Sequence, residues 1–236
     1  MSMRLVLAVS VVSLLLVGEA PLHASAIDST LFTTYTLGGK TRIDWTVCGS
    51  LPGTSGCYGA GTLGPFGRIG AMIEGNPIQN LTAGTVTRYI YILDVGYGSG
   101  ANEVALYVYK KVDTISGADD SVSTSLFKTV VLPLTGGAPT VASMGANAKF
   151  LYIGTNQDQL AVQVQKSNFA IAQFSEVSGP YNVTSITADQ YGFVTVTWGH
   201  GAGFDVIDKN GQPQLGGGGD SFMLNTSVAS IPSAVK

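Results

Sequence analysis

Short apolar runs alternate with clusters of Gly, Asn, Asp, Ser and Thr along most of the chain, with the period of two that marks β-strands. Residues 31–37 and 41–48 read as two strands around Gly38-Gly39, a hairpin turn signal. A Gly-rich stretch follows, up to Gly67, to which no strand is assigned. Further strands are expected at 68–74, 86–95, 103–111 and 125–132, with turns or loops over 75–85, 96–102 and 112–124. Tyr89 and Tyr91 alternate with Ile90 and Ile92, so both faces of that strand should be covered. In the next strand Val104, Leu106 and Val108 fall on one face, and Ala105, Tyr107 and Tyr109 on the other.

From Thr140 to Leu215 the same unit recurs. Val141, Ser143, Met144, Ala146 and Asn147 line up with Val183, Ser185, Ile186, Ala188 and Asp189 at an offset of 42 residues. Each unit holds a small-residue strand, a polar turn, an apolar strand, a Gly or Asn turn and a third strand. A weaker fourth strand completes two of the units. Residues 68–132 follow the same order with longer loops. In this pattern over residues 66–215 the chain resembles the bacterial secreted β-propeller repeat proteins. No Trp-Asp repeat, kelch glycine pair or Asp-box accompanies it. The resemblance implies a disc of blades with ligands or partners on one face, and no particular activity. The expected fold is all-β, a small propeller of four blades or five, in one domain over 27–236. The N-terminal hairpin and residues 221–224 are expected to share a closing blade. A β-sandwich or jelly roll is the rival architecture.

The first 26 residues do not fit this pattern. Arg4 precedes an almost unbroken apolar run from Leu5 to Val17, and Ala24-Ser25-Ala26 supplies small residues at a cleavage site. They are expected to be a signal peptide. The run is short for a membrane span, and no second run is long enough, so the mature chain is expected to be exported without a transmembrane segment, to the periplasm, cell surface or exterior. Export gives the two cysteines a meaning. Cys48 and Cys57, separated by small and turn-forming residues, are expected to form a disulfide rather than a metal or redox pair.

Only 11% of residues are charged and no basic run occurs, so nucleic acid is an unsuitable partner. With His23 in the leader, His200 is the one histidine left to the mature chain, which excludes sites needing two. It lies between glycines in Trp198-Gly199-His200-Gly201 and reads first as an exposed turn histidine. No metal or cofactor motif is present, since the pair Asp119-Asp120 lacks calcium-loop spacing and the Gly216–Gly219 run lacks a strand-to-helix context. Trp45 and Trp198 read as core residues.

If the units are blades, one edge of the disc carries loops 96–102, 155–159 and 199–203 and the connections between blades. That edge is neutral, Gly-rich and aromatic. Its candidate ligand-binding residues are Tyr97, Asn102, Asn156, Asp158, Tyr181 and His200. The opposite edge, with 76–85, 113–121, Asp189 and 208–211, is expected to be polar and acidic. Glu74 and Asp94 each end an apolar strand and are the candidate carboxylates for glycosidic acid/base work, against amide capping at strand ends. The function expected is non-enzymatic binding of a small molecule, glycan or protein, or scaffolding. A sugar or lactone hydrolase or lyase is the second expectation, and a cell-surface or matrix component the third.

Overall fold

The structure is a computed structural model, and it describes residues 29–48, 57–114, 121–174, 182–199 and 203–215. Among these residues every regular element is a strand. The first sheet is β1 (Ser29–Leu37), β2 (Lys40–Cys48) and β3 (Cys57–Phe66). The second is β4 (Ile69–Glu74), β6 (Thr85–Tyr97), β7 (Glu103–Thr114) and β8 (Ser121–Thr135), with the short β5 (Ile78–Asn80) also paired to β6. The third runs β9 (Ala142–Ala146), β10 (Phe150–Thr155), β11 (Ala161–Gln165) and β12 (Ile171–Phe174). The fourth runs β13 (Val183–Ala188), β14 (Val194–Trp198), β15 (Gly203–Ile207) and β16 (Pro213–Leu215).

Each sheet is an antiparallel meander completed before the next begins. The first strands of the last three sheets are neighbours, β4 against β9 and β9 against β13, as the inner strands of successive propeller blades are. A sandwich would place two larger sheets around one core. Here four small sheets enclose three cores. Ile43, Trp45, Leu63 and Phe66 meet Ile90 and Ile92 between the first and second sheets. Leu93, Leu106 and Val108 meet Leu151, Ile153 and Val162 between the second and third. Tyr152 and Ala161 meet Val183, Val196 and Trp198 between the third and fourth. The fold is therefore all-β and propeller-like, with four blades among the described residues.

The alternation along β6 and β7 explains why the second sheet is central. Ile90 and Ile92 face the first sheet while Tyr91 and Leu93 face the third. Val104, Leu106 and Val108 likewise face the third sheet, with Tyr109 on the opposite side. A strand apolar on both faces needs a neighbour on each.

The first sheet departs most from expectation. The hairpin forms as expected, with Gly38 and Gly39 at φ 59° and 75°, the left-handed backbone that a two-residue turn requires. The Gly-rich stretch after Cys57, however, is a strand. Trp45 pairs directly with Gly61, and a Cβ on Gly61 would lie 2.7 Å from the indole ring. The glycine is there to admit the tryptophan, not to turn the chain. This strand, β3, completes the first sheet beside the hairpin, whereas residues 221–224, expected in that role, lie outside the described residues. Within the expected 75–85 turn, β5 forms. Strands β7 and β8 run well into the expected 112–124 loop. The fourth sheet also gains a fourth strand, β16, which was not expected in that unit.

The Cys48–Cys57 disulfide is present and ties the end of β2 to the start of β3. No helix among the described residues is long and apolar enough to cross a membrane. Residues 1–26, expected to be a leader, lie outside the described residues.

Candidate functional site

The edge that carries the turn after β6 was expected to hold the ligand. Its loops do come together. The backbone N–H of Gly136 donates to the Asn102 carbonyl at 2.8 Å, and that of Gly137 to the Val95 carbonyl at 2.8 Å. The carboxylate of Asp158 accepts from Thr135 N at 2.7 Å, Thr135 Oγ1 at 3.0 Å and Thr155 Oγ1 at 2.5 Å. Asn156 Oδ1 accepts from Val141 N at 2.8 Å, and the Asn156 carbonyl accepts from Asn182 Nδ2 at 2.8 Å. Tyr97 stands half-buried at the end of β6, edge-on to Tyr107 at 6.1 Å. Asn156 and Asp158 thus latch the second, third and fourth sheets at their connections, whereas Asn102 is exposed and contributes its backbone carbonyl to the second sheet's own loops. Tyr181 and His200 lie outside the described residues.

The two candidate carboxylates are separated. Asp94 pairs with Ile69 and Glu74 with Ile90, at opposite ends of β4. Five residues of strand hold them about 16 Å apart. Asp94 is buried and caps three backbone amides, those of Gly67 at 2.6 Å, Arg68 at 2.8 Å and Gly96 at 2.9 Å. Glu74 lies 3.6 Å from Lys111 Nζ and 4.0 Å from Arg88 Nε. Arg88 and the buried Lys111 also pair with Asp113, and Lys111 donates to Thr30 Oγ1 of the first sheet. These charges neutralise one another between the first two sheets. Both tryptophans are core residues, and Trp198 Nε1 donates to Asp205 at 2.9 Å. Among the described residues no group of three or more His, Cys, Asp or Glu is placed to hold a metal ion.

On the opposite edge, a groove opens between the second and third sheets. Its inner part, about 480 Å³, lies between the 75–78 turn and Lys149, Gln165 and Lys166. Its outer part, about 450 Å³, is bounded by Phe127, Lys128, Asn168 and Phe169. Tyr89 and Tyr91 line both. The floor is a row of rings. Tyr91 stacks on Tyr89 with centroids 6.5 Å apart, Tyr89 meets Phe127 at 5.5 Å, and Phe127 meets Phe169 at 6.0 Å.

Two of these rings are placed by irregular backbone. The β7–β8 register runs Val108↔Lys128 and then Tyr109↔Leu126, which leaves Phe127 as the extra residue of a β-bulge. A bulge re-aims the side chain it carries, and Phe127 remains 53% exposed. Phe169 has φ 61°, a left-handed conformation that a bulky residue rarely adopts. A tight turn holds it there, through Phe169 N to the Gln165 carbonyl at 2.8 Å and Gln165 N to the Ala170 carbonyl at 2.9 Å.

Lys166 stands over this floor. Its ammonium donates to the Asn147 carbonyl at 2.6 Å and lies 5.5 Å from the centre of the Tyr91 ring. Burial lowers its pKa from the usual lysine value, because desolvation penalises the charged form. Burial, then the neighbouring Tyr89, pushes the Tyr91 hydroxyl up to about 12. The turn beneath is built by Asn147, whose Oδ1 accepts from Lys149 N at 3.0 Å and Phe150 N at 2.9 Å. Asp189, its counterpart in the 42-residue alignment, accepts in the same way from Tyr191 N at 2.8 Å and Phe193 N at 2.9 Å.

The sequence marked this edge as acidic, whereas the groove is lined by aromatics and lysines. A signal for it was present in the Tyr89–Tyr91 alternation, which placed two rings on one face of one strand. Nothing local tied that face to Phe127, Lys166 or Phe169.

No protein-family model and no curated protein matches the chain. Among solved structures it is similar to a catalytically inactive virginiamycin B lyase from Staphylococcus aureus, solved with quinupristin. Identity is 11%, the match covers 79% of this chain and 73% of that one, and the TM-score is 0.34. So slight a likeness leaves the architecture to rest on strand order and sheet packing.

Proposed function

We propose that this chain is an exported binding or scaffold protein whose ligand seats in the groove between the second and third sheets. The observation that carries this reading is the coincidence of two backbone irregularities at one place. The bulge at Phe127 and the left-handed Phe169 both bring a ring to the same row. Such conformations cost stability, and the rest of the fold must over-determine them. Aromatic rings in a concave site held by rigid sheets suit the recognition of a flat or apolar-faced ligand.

A small-molecule and glycan screen by ligand-observed NMR tests the proposal, using the native protein and the Phe127→Ala and Asn102→Ala variants. Loss of one ring from the row should weaken a bound ligand by about tenfold, whereas Asn102→Ala should leave its affinity unchanged. Ligands that respond to Asn102→Ala and ignore Phe127→Ala would move the site to the opposite edge, where Tyr97, Asn102, Asn156 and Asp158 lie. Turnover of a sugar or lactone that a single substitution abolishes would replace binding with the hydrolase or lyase reading. The 42-residue alignment further supports descent of the third and fourth sheets from one duplicated unit.

A further inference from the structure

We infer that the groove takes an anionic saccharide chain, a uronic-acid oligomer, with its sugar faces on Tyr89, Phe127 and Phe169 and a carboxylate at Lys166. The inference rests on the groove being the binding site and names what binds there.

Charge is the first reason. Acidic residues outnumber basic ones in the chain, 15 to 12. The groove reverses this balance, for Lys128, Lys149 and Lys166 line it and, among the described residues, no Asp or Glu does. Lys166 is the most telling of the three. Its ammonium has three donors, and its hydrogen bonds to the described residues use one of them, on the Asn147 carbonyl. No carboxylate lies within ion-pair distance of it among the described residues, although it is partly removed from water. A half-buried cation without a counter-ion is the complement of a ligand that brings one. A bound carboxylate would also offset the desolvation that lowers the lysine's pKa.

Shape and chemistry select the ligand body. The rings form a row with successive centroids 6.5, 5.5 and 6.0 Å apart, not an enclosed pocket, so the occupant is elongated. Pyranose rings present C–H faces that lie on aromatic rings, with hydroxyls around the rim. Around this row the uncharged polar partners are the side chains of Asn76, Gln165, Ser167 and Asn168. An acidic peptide would satisfy the lysines, but it binds tightly by adding main-chain hydrogen bonds to a free strand edge. At Tyr89 and Tyr91 the floor is β6, which is paired on both sides.

The test is calorimetric titration of the purified chain with oligogalacturonate and with the same oligomer after carboxyl reduction. Both are repeated on Lys166→Gln, on the exposed-site variant Lys128→Gln and on Phe127→Ala, with thermal unfolding as the check on folding. Oligogalacturonate should bind with an affinity that falls as salt rises. The reduced oligomer should bind about tenfold more weakly, and Lys166→Gln should bring the acidic oligomer close to the reduced one. Lys128→Gln should give a smaller loss in the same direction. Equal binding of both oligomers, or lysine variants without effect, would overturn the assignment of an anionic ligand while leaving the groove as the site. Binding of an acidic peptide or of anionic lipid vesicles, but of neither oligomer, would overturn the saccharide. No binding by any of these probes would overturn it too. The groove itself fails separately, if Phe127→Ala leaves the affinity of every bound probe unchanged.

Discussion

Replacing Asp94 separates a structural carboxylate from a catalytic one. Asp94 is 1% exposed and holds the chain where it passes from the first sheet into the second. Oδ1 accepts from Arg68 N and Gly96 N, and Oδ2 from Gly67 N. Alanine removes all three acceptors. The Gly96 amide bond is buried, and leaving that donor unpaired costs about 1–3 kcal/mol. The other two are partly reached by water and cost about 1 kcal/mol each. Asp94→Ala should therefore lose about 3–5 kcal/mol, a large part of the about 5–15 kcal/mol typical of a folded domain. In urea, with a slope of about 2–3 kcal/mol/M, the midpoint should fall by about 1–2.5 M. Asparagine retains an acceptor at the Oδ1 position and points an amide donor at Gly67 N–H, so Asp94→Asn should lose only about 1–3 kcal/mol. If the alanine variant stays within about 0.5 kcal/mol of the native protein, or both variants lose the same amount, the three-amide cap is not what holds this segment.

Two further perturbations address the cores. Gly61→Ala places a Cβ 2.7 Å from the Trp45 ring, so the indole or the strand must shift, at a cost of about 1–3 kcal/mol. Thermal unfolding should show a lower midpoint, and an unchanged one would mean that the first sheet adapts freely. Tyr91 and Tyr107 are pushed up to about 12 from 10.0 by burial. Both hold their protons in the folded chain after the unfolded chain has released them. The stability this represents is complete below pH 10.0 and is lost as pH rises towards about 12. Spectrophotometric titration of tyrosinate should show a late-ionising group of tyrosines that merges with the early one on unfolding. A single transition near the ordinary tyrosine value in the folded protein would refute this.

The strand pattern was legible because a strand's period is a local property. The alternation in 86–95 and 103–111 placed Ile90, Ile92, Leu106 and Val108 correctly inside, and Gly38-Gly39 marked its own turn. The order of sheets followed, since each is a meander of neighbouring segments. The pairing of Cys48 with Cys57 was readable for the same reason of proximity. The strand over Cys57–Phe66 was hidden because its glycines answer to Trp45 on the next strand, a demand that lies outside the segment itself. The candidate site was the least legible part. Tyr91, Phe127, Lys166 and Phe169 come from two sheets and meet only when those sheets pack, and a bulge and a left-handed residue set the direction of two rings. Asp94 and Glu74 illustrate the converse. Both end strands in the sequence, yet the register of β4 on β6 sets them at opposite ends and gives one to three amides and the other to Lys111. The sequence by itself determined most of the strands and which face of each of those is apolar, because side-chain alternation and turn chemistry act over a few residues. Only the tertiary structure decided which faces meet, and therefore where rings, lysines and carboxylates gather, because contacts between sheets join residues whose spacing along the chain obeys no period.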